Sequence, residues 1–303
     1  MLWHLLALAV ACIWGCTFVA SKVLLNAGLT PAEIMCMRFA IAWVLMLPWC
    51  HAKLRTNWHD ELRFLLLGLS GGSLYFLSEN TAVKLTSSTS TVALIVSTTP
   101  IVTALMNRCF HRAEHLSSRF LSGSMIALAG VALVIFNGVF VLDDDPMVML
   151  LSFGAAVTWG VYSMIIRTLE GHYSSSVITR KVFFWGIITM LPVCCYEMLG
   201  GDSMLYQAET SGWNLGLLGQ DDVWTTLVFL GLVASLGCFL AWNVALRYIG
   251  VIAAGNYLYF NPVTSLLAAW FVLNERITLL AIVGCALTII GVYLCNYKKK
   301  KKV

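Results

Sequence analysis

Glu79 is an acidic residue in the third apolar run, within Leu74 to Lys84, with Tyr75 one helical turn before it and Asn80 directly after. A charge at the centre of a membrane helix costs about 2.5–3.5 kcal/mol on insertion scales, so such a residue usually faces a cavity or a partner. Positions four apart share a helix face. Glu79 and Tyr75 are therefore expected to line a central cavity, where the carboxylate binds a substrate amine or carries a coupling proton. The competing reading is a structural ion pair with Lys22 or Lys84. Arg38 could meet a substrate carboxylate, but snorkelling to outer headgroups or pairing with Glu33 is its expected role. Trp14, Trp159 and Trp242, with Tyr162, Tyr257 and Tyr259, offer ring faces that hold a cation or stack on a solute. Their rival role is the interfacial belt, which suits Trp3, Trp49, Trp58 and Trp224 at span ends. Asn256 to Pro262 is polar and aromatic, with Asn256 and Tyr259 on one face. A proline frees a carbonyl in the preceding turn, and freed backbone at membrane depth is tolerated where it lines a cavity. Pro100, after Ser97-Thr98-Thr99, and Pro262 are thus expected to mark bends around a shared site or gate.

The elements that position these groups follow from composition. The chain has 303 residues, 59% hydrophobic and 11% charged, with a mean hydropathy of +0.83. A soluble domain is roughly 45–50% apolar and about 25% charged, so this is an integral membrane protein. A spanning helix takes about 20 residues. Apolar runs give ten: 3–25, 32–50, 62–83, 87–107, 118–138, 147–168, 177–198, 223–246, 251–273 and 277–297. What remains is short connections, with no room for a soluble catalytic domain. The first run continues past the lipoprotein-like box Ala9 to Cys12 and has no basic start, so it reads as an uncleaved span. With both termini on one side, that side collects 15 of the 19 basic residues, leaving Lys22, Arg38, Lys84 and Arg276 opposite. The positive-inside rule then puts both termini in the cytoplasm, and the lysines 298–302 against an anionic inner leaflet. The expected location is the inner (plasma) membrane, multi-pass.

No cofactor, metal or nucleic acid is implied. There is no Gly-x4-Gly-Lys-[Ser/Thr] loop, and the ten cysteines form no CxxC pair or zinc-like cluster, so they read as buried, reduced thiols. The six histidines fall at span ends and in loops, poor places for a proton relay.

The chain also repeats itself. Trp14-Gly15 and Trp159-Gly160 each precede a basic residue, Lys22 and Arg167, by eight positions. Asn80 to Lys84 corresponds to Asn243 to Arg247. Then follow Pro100 or Pro262, Glu114 or Glu275, and glycine pairs at 123/130 and 284/291, the last read as close helix packing. Glu114 and Glu275 read as ties between helices or helix caps. Each half holds five spans, an odd number, so the second enters the membrane from the opposite side. The expected architecture is all-α, ten transmembrane helices in two inverted five-helix repeats, 1–140 and 141–303, as in many secondary transporters.

Paired Trp-Gly, the fourth-span proline, the following Glu and Gly-x6-Gly make the chain resemble the EamA family of the drug/metabolite transporter superfamily, over almost its whole length. The resemblance implies a carrier of small metabolites, often amino acids, and no enzyme. It also implies a cavity lined by the first, third, fourth, sixth, eighth and ninth helices. Glu79 departs from the family, whose third span is usually neutral there. The leading expectation is a secondary transporter, an exporter of amino acids or similar zwitterions, working by alternating access between repeats. A lipophilic-cation exporter is the alternative, and an intramembrane enzyme or lipid scramblase a remote one. Its partners are a small-molecule substrate and the bilayer, with protons as candidate coupling ion and a monomer as the simplest state.

Overall fold

A computed structural model describes residues 1–48, 56–86, 89–110, 117–136, 145–199, 215–273 and 278–296. The described residues are almost entirely helical. In chain order the α-helices are α1 (Leu2–Asn26), α2 (Pro31–Met46), α3 (Trp58–Gly68), α4 (Tyr75–Leu85), α5 (Thr89–Val96), α6 (Thr99–Phe110) and α7 (Ser118–Phe136) in the first half. The second half has α8 (Pro146–Leu169), α9 (Ser175–Met198), α10 (Asp221–Val228), α11 (Cys238–Ile249), α12 (Val251–Gly255), α13 (Asn261–Leu273) and α14 (Leu279–Asn296). Joined end to end they make ten rods. Six described helical stretches are long and apolar enough to cross a membrane.

Local sequence explains where rods begin and break. Thr30 and Glu33 form a reciprocal capping box at the start of α2, with Pro31 at its first position. Asp145 accepts from the Met147 N–H at the start of α8, again followed by proline. Pro100 and Pro262 each occupy the second position of a helix that restarts after a break. A proline has no N–H for the preceding turn and restricts the residue before it. The chain accordingly turns at 97–98, and tightens to a 3-10 helix over Asn256–Phe260. The fourth and ninth spans are therefore broken, where apolar length alone predicts continuous helices. Gly250, at φ 82°, makes the reversal between α11 and α12.

The repeat is visible in the rods. The third of each half carries a π segment, Leu69–Leu74 between α3 and α4, and Phe229–Gly237 between α10 and α11. The fifth rods, α7 and α14, pack on each other more extensively than any other pair of described elements. Glycine makes that contact possible. A methyl group on Gly130 would lie 2.5 Å from Thr288 N and 2.6 Å from Gly284 O, and one on Gly284 would lie 2.6 Å from Gly130 O. The ends are tied by polar contacts. Lys181 Nζ donates to both Glu61 carboxylate oxygens at 2.8 Å, joining α9 to α3. At the other end Thr30 Oγ1 donates to Glu197 Oε2 at 2.8 Å. Glu114, Glu275, Arg276, Trp49 and the lysine tail lie outside the described residues.

Candidate functional site

The halves meet at a box of aromatic rings. The Trp14 ring centroid lies 5.3 Å from that of Trp159, nearly perpendicular, and 5.6 Å from Phe239. Tyr75 makes a tilted contact with Trp159, centroids 5.0 Å apart. Edge and tilted contacts of this kind suit the ring quadrupole. Trp14 Nε1 donates to Ala234 O at 3.0 Å, inside the second π segment. π segments recur at functional positions because they displace side chains and carbonyls from the regular helix register.

Within the box lies a small pocket lined by Trp14, Thr17 and Phe18 of α1, Tyr75, Phe76 and Glu79 of α4, Trp159 of α8 and Phe239 of α11, with Val96, Thr99, Leu258 and Asn261 from the two broken rods. All six helices named from the family resemblance contribute. A seventh does as well: Arg38 of α2. The expectation that Arg38 snorkels to headgroups or pairs with Glu33 is corrected here. Its side chain is 1% exposed, its Nε donates to Ser235 Oγ at 2.8 Å, and its guanidinium lies 4.4 Å from the centre of the Phe76 ring. Glu33 is occupied by its capping box. The sequence signal for this was the depth of Arg38, a turn and more inside α2.

Glu79 is 7% exposed and accepts from Tyr75 Oη at 3.3 Å. It has no tie to Lys22, whose Nζ caps α4 by donating to Val83 O at 2.9 Å and Thr86 O at 3.0 Å. Arg38 and Glu79 attract each other across the pocket, yet no direct contact joins them among the described residues. The open space amounts to about 30 Å³, enough for roughly two waters.

The remaining expected site residues sit elsewhere. Trp242 is buried against Trp14, centroids 5.0 Å apart, behind the pocket wall. Tyr162 donates to Asn243 Oδ1 at 2.8 Å, and Asn243 donates on to Thr179. Asn80, the repeat counterpart of Asn243, is buried with neither amide atom hydrogen-bonded. Tyr259 packs in a separate cluster with Ala127, Val131 and Val292. Tyr257 Oη meets His4 Nδ1 at 3.0 Å.

Asn256 belongs to a second cavity, of about 740 Å³, at the end of the bundle that holds both the start of α1 and the end of α14. Its polar lining includes His4, Arg167, Glu170, Arg247, Asn256 and Asn296. Arg167 donates to Asn107 Oδ1 at 3.1 Å. Glu170 caps the end of α8. Burial pushes its carboxyl up to about 7, against the pull of Arg167 and Arg247. In the sequence Asn256 stood out as a candidate, Arg167 and Arg247 only as repeat markers and inner-face charges, and Glu170 and Asn296 not at all.

The profile of a family described as EamA-like transporters matches the chain twice, over residues 1–136 and 146–297. A protein of Archaeoglobus fulgidus named an uncharacterized transporter is 28% identical over 299 residues, covering 98% of this chain and 99% of its own. An Escherichia coli protein named "probable amino-acid metabolite efflux pump" is 23% identical, over 95% of this chain and 92% of its own. One from Streptantibioticus cattleyicolor, named "probable terminal-alkyne amino-acid exporter", is 27% identical over 68% of this chain and 63% of its own. A solved crystal structure shares the fold, with a TM-score of 0.72 over 97% of each chain at 18% identity.

Proposed function

The chain belongs to the EamA-like transporter family, and from that premise we propose that it is a secondary exporter of amino acids or closely related zwitterions, working by alternating access at the central pocket. One observation carries the substrate class. A buried guanidinium and a buried carboxylate line the same aromatic pocket without contacting each other. An amino acid supplies the missing partner to each: its carboxylate for Arg38, its ammonium for Glu79. Charge-assisted bonds of that kind are strong where water is excluded. Trp14, Trp159, Tyr75 and Phe239 then take the side chain. The same pocket disfavours a lipophilic cation, which would meet Arg38 as well as Glu79.

The open space of about 30 Å³ is too small for any amino acid, so loading requires the walls to part. Those walls come from both repeats, and rocking one repeat against the other parts them. No nucleotide-binding loop is present in the sequence, so the driving force is a gradient or exchange, and Glu79 can trade a proton for the substrate ammonium. The charge bias favours cytoplasmic termini in the plasma membrane. The names of the two amino-acid relatives favour export.

The test is uptake of a labelled amino-acid panel into proteoliposomes, with and without a pH gradient. Arg38→Gln and Glu79→Gln should each lower kcat/KM about 10–100-fold, the loss of one hydrogen bond to a charged group. Glu79→Gln should also flatten the response to the gradient. Wild-type rates in both variants would sink the central-pocket reading.

A further inference from the structure

We propose that the 740 Å³ vestibule is a docking site for the same zwitterionic solute, its carboxylate held between Arg167 and Arg247 and its ammonium by Glu170 and the Asn256 amide oxygen. The proposal rests on the zwitterion reading of the central pocket.

Unpartnered polar atoms point to a ligand. Asn256 is 1% exposed. Its Nδ2 donates to Asn296 Oδ1 at 3.0 Å, but its own Oδ1 has no donor, and Asn296 Nδ2 has no acceptor. Glu170 Oε1 is likewise shielded from solvent without a donor. Buried acceptors left so are costly, and these three residues all line one cavity. The Arg247 guanidinium makes no hydrogen bond to a described residue, while Arg167 already holds Asn107. The charge complement therefore repeats that of the central pocket, arginine facing glutamate, in a space within the usual range for a small-molecule site.

Continuity with the central pocket gives the site its role. Asn256 opens the 3-10 segment Asn256–Phe260, and Leu258 and Asn261, a few residues on, line the central pocket. One short stretch of chain thus forms a wall of both cavities. A 3-10 segment has poorer hydrogen-bond geometry than an α-helix and often marks a hinge. A solute held on Asn256 rests on the segment that must move for it to pass inward.

The test uses full-length protein in proteoliposomes of neutral lipid, with an equimolar mixture of tritiated amino acids presented at the vestibule face. Arg247→Gln and Glu170→Gln should each raise KM about tenfold and leave kcat within about twofold. The retained kcat shows that the variants fold. At a solute concentration near the wild-type KM, the bound amount should fall from the vestibule-plus-central sum toward the central site alone in either variant, and toward the vestibule site alone in Arg38→Gln. Unchanged KM with one solute per wild-type chain overturns the vestibule site and leaves the central pocket standing. A KM effect that appears only when anionic lipid is added overturns it too, marking the vestibule as a seat for lipid phosphate. Neither binding nor transport of any amino acid by the wild type overturns the zwitterion reading itself, and the docking site with it.

Discussion

Lys22 and Arg167 stand at matching places in the two repeats, at opposite ends of the bundle, and hold different partners. Lys22 donates to Val83 O and Thr86 O. These carbonyls end α4, where the helix dipole is negative and the acceptors lack helical partners. The counterparts of Val83 and Thr86 in the second repeat are Leu246 and Ile249. Arg167 instead holds Asn107 Oδ1 at 3.1 Å, and Leu246 O accepts from the Gly250 N–H at 2.8 Å. Among the described residues, these bonds lace the rods together at the Lys22 end, helped by the Thr30–Glu197 bond. The Arg167 end opens into the vestibule. Two copies of one plan can thus rest in two arrangements that differ by a few hydrogen bonds at rod ends. Exchanging them would close the vestibule and open the far end, the movement that alternating access needs.

Such an exchange requires something that does not move, and α7 with α14 is the candidate. Their glycines bring backbone to backbone, and a side chain on Gly284 would run into Gly130 O at 2.6 Å and Val134 N at 2.7 Å. Overpacking a close contact costs about 1–3 kcal/mol, occasionally more. Gly284→Leu should fall at the upper end, about 3 kcal/mol, because backbone cannot step aside as a side chain can. The expected result is a lowered Tm in detergent with unchanged KM in the fraction that folds. A changed KM with unaltered Tm would mean that this contact belongs to the moving part, and the comparison of the two ends would need a different pivot.

The difference between the ends can be attacked directly at Lys22. Lys22→Met removes two hydrogen bonds from a charged donor, each worth about 1.5–3 kcal/mol. Allowing for water replacing part of them, the end should open about 10–100-fold more often. Thr17 lines the central pocket, so Thr17→Cys in a background without the native cysteines reports opening. Labelling by an impermeant maleimide added opposite the termini should accelerate by that factor. Arg167→Met, which loses the Asn107 bond at the end that opens into the vestibule, should change it less than about threefold. Equal effects would erase the asymmetry.

Much of this was legible before any coordinates. Length and apolarity show a helical membrane protein, and the repeat shows two five-rod halves, because both are properties of a chain read one residue at a time. Glu79, Tyr75, Trp14 and Trp159 were visible as site candidates for the same reason: a polar or aromatic residue at mid-span costs something wherever it points. Arg38 was misjudged because a long basic side chain in a span has cheap solutions at the headgroups or beside a nearby acid, and the partners it takes instead, Ser235 and Phe76, are far away in sequence. The vestibule was invisible for a related reason. Arg167, Glu170, Arg247 and Asn296 each look like ordinary charged or polar residues at rod ends, and only packing gathers them around Asn256. The π segments at Leu69–Leu74 and Phe229–Gly237 have no sequence signature beyond small residues, yet one of them sets Ser235 against Arg38.

The smallest expected effect separates the two cavities by pH. Glu170 lies outside the spanning helices, its carboxyl pushed by burial up to about 7 while Arg167 and Arg247 pull it down. His4, Cys295 and Tyr248 are the other titratable groups lining the same cavity. To hold an ammonium, Glu170 must be ionised. The ionised fraction is nearly complete at about pH 8 and about a tenth at pH 6, since one pH unit below the pKa is a tenfold change in ratio. Docking should therefore weaken as pH falls at the vestibule face, and KM should rise severalfold, up to about tenfold, between pH 8 and 6. Glu170→Gln should flatten this profile, starting from the high KM that the wild type reaches only in acid. A profile unchanged by Glu170→Gln would assign the pH dependence to the central pocket, and the two cavities would no longer be distinguishable by charge state.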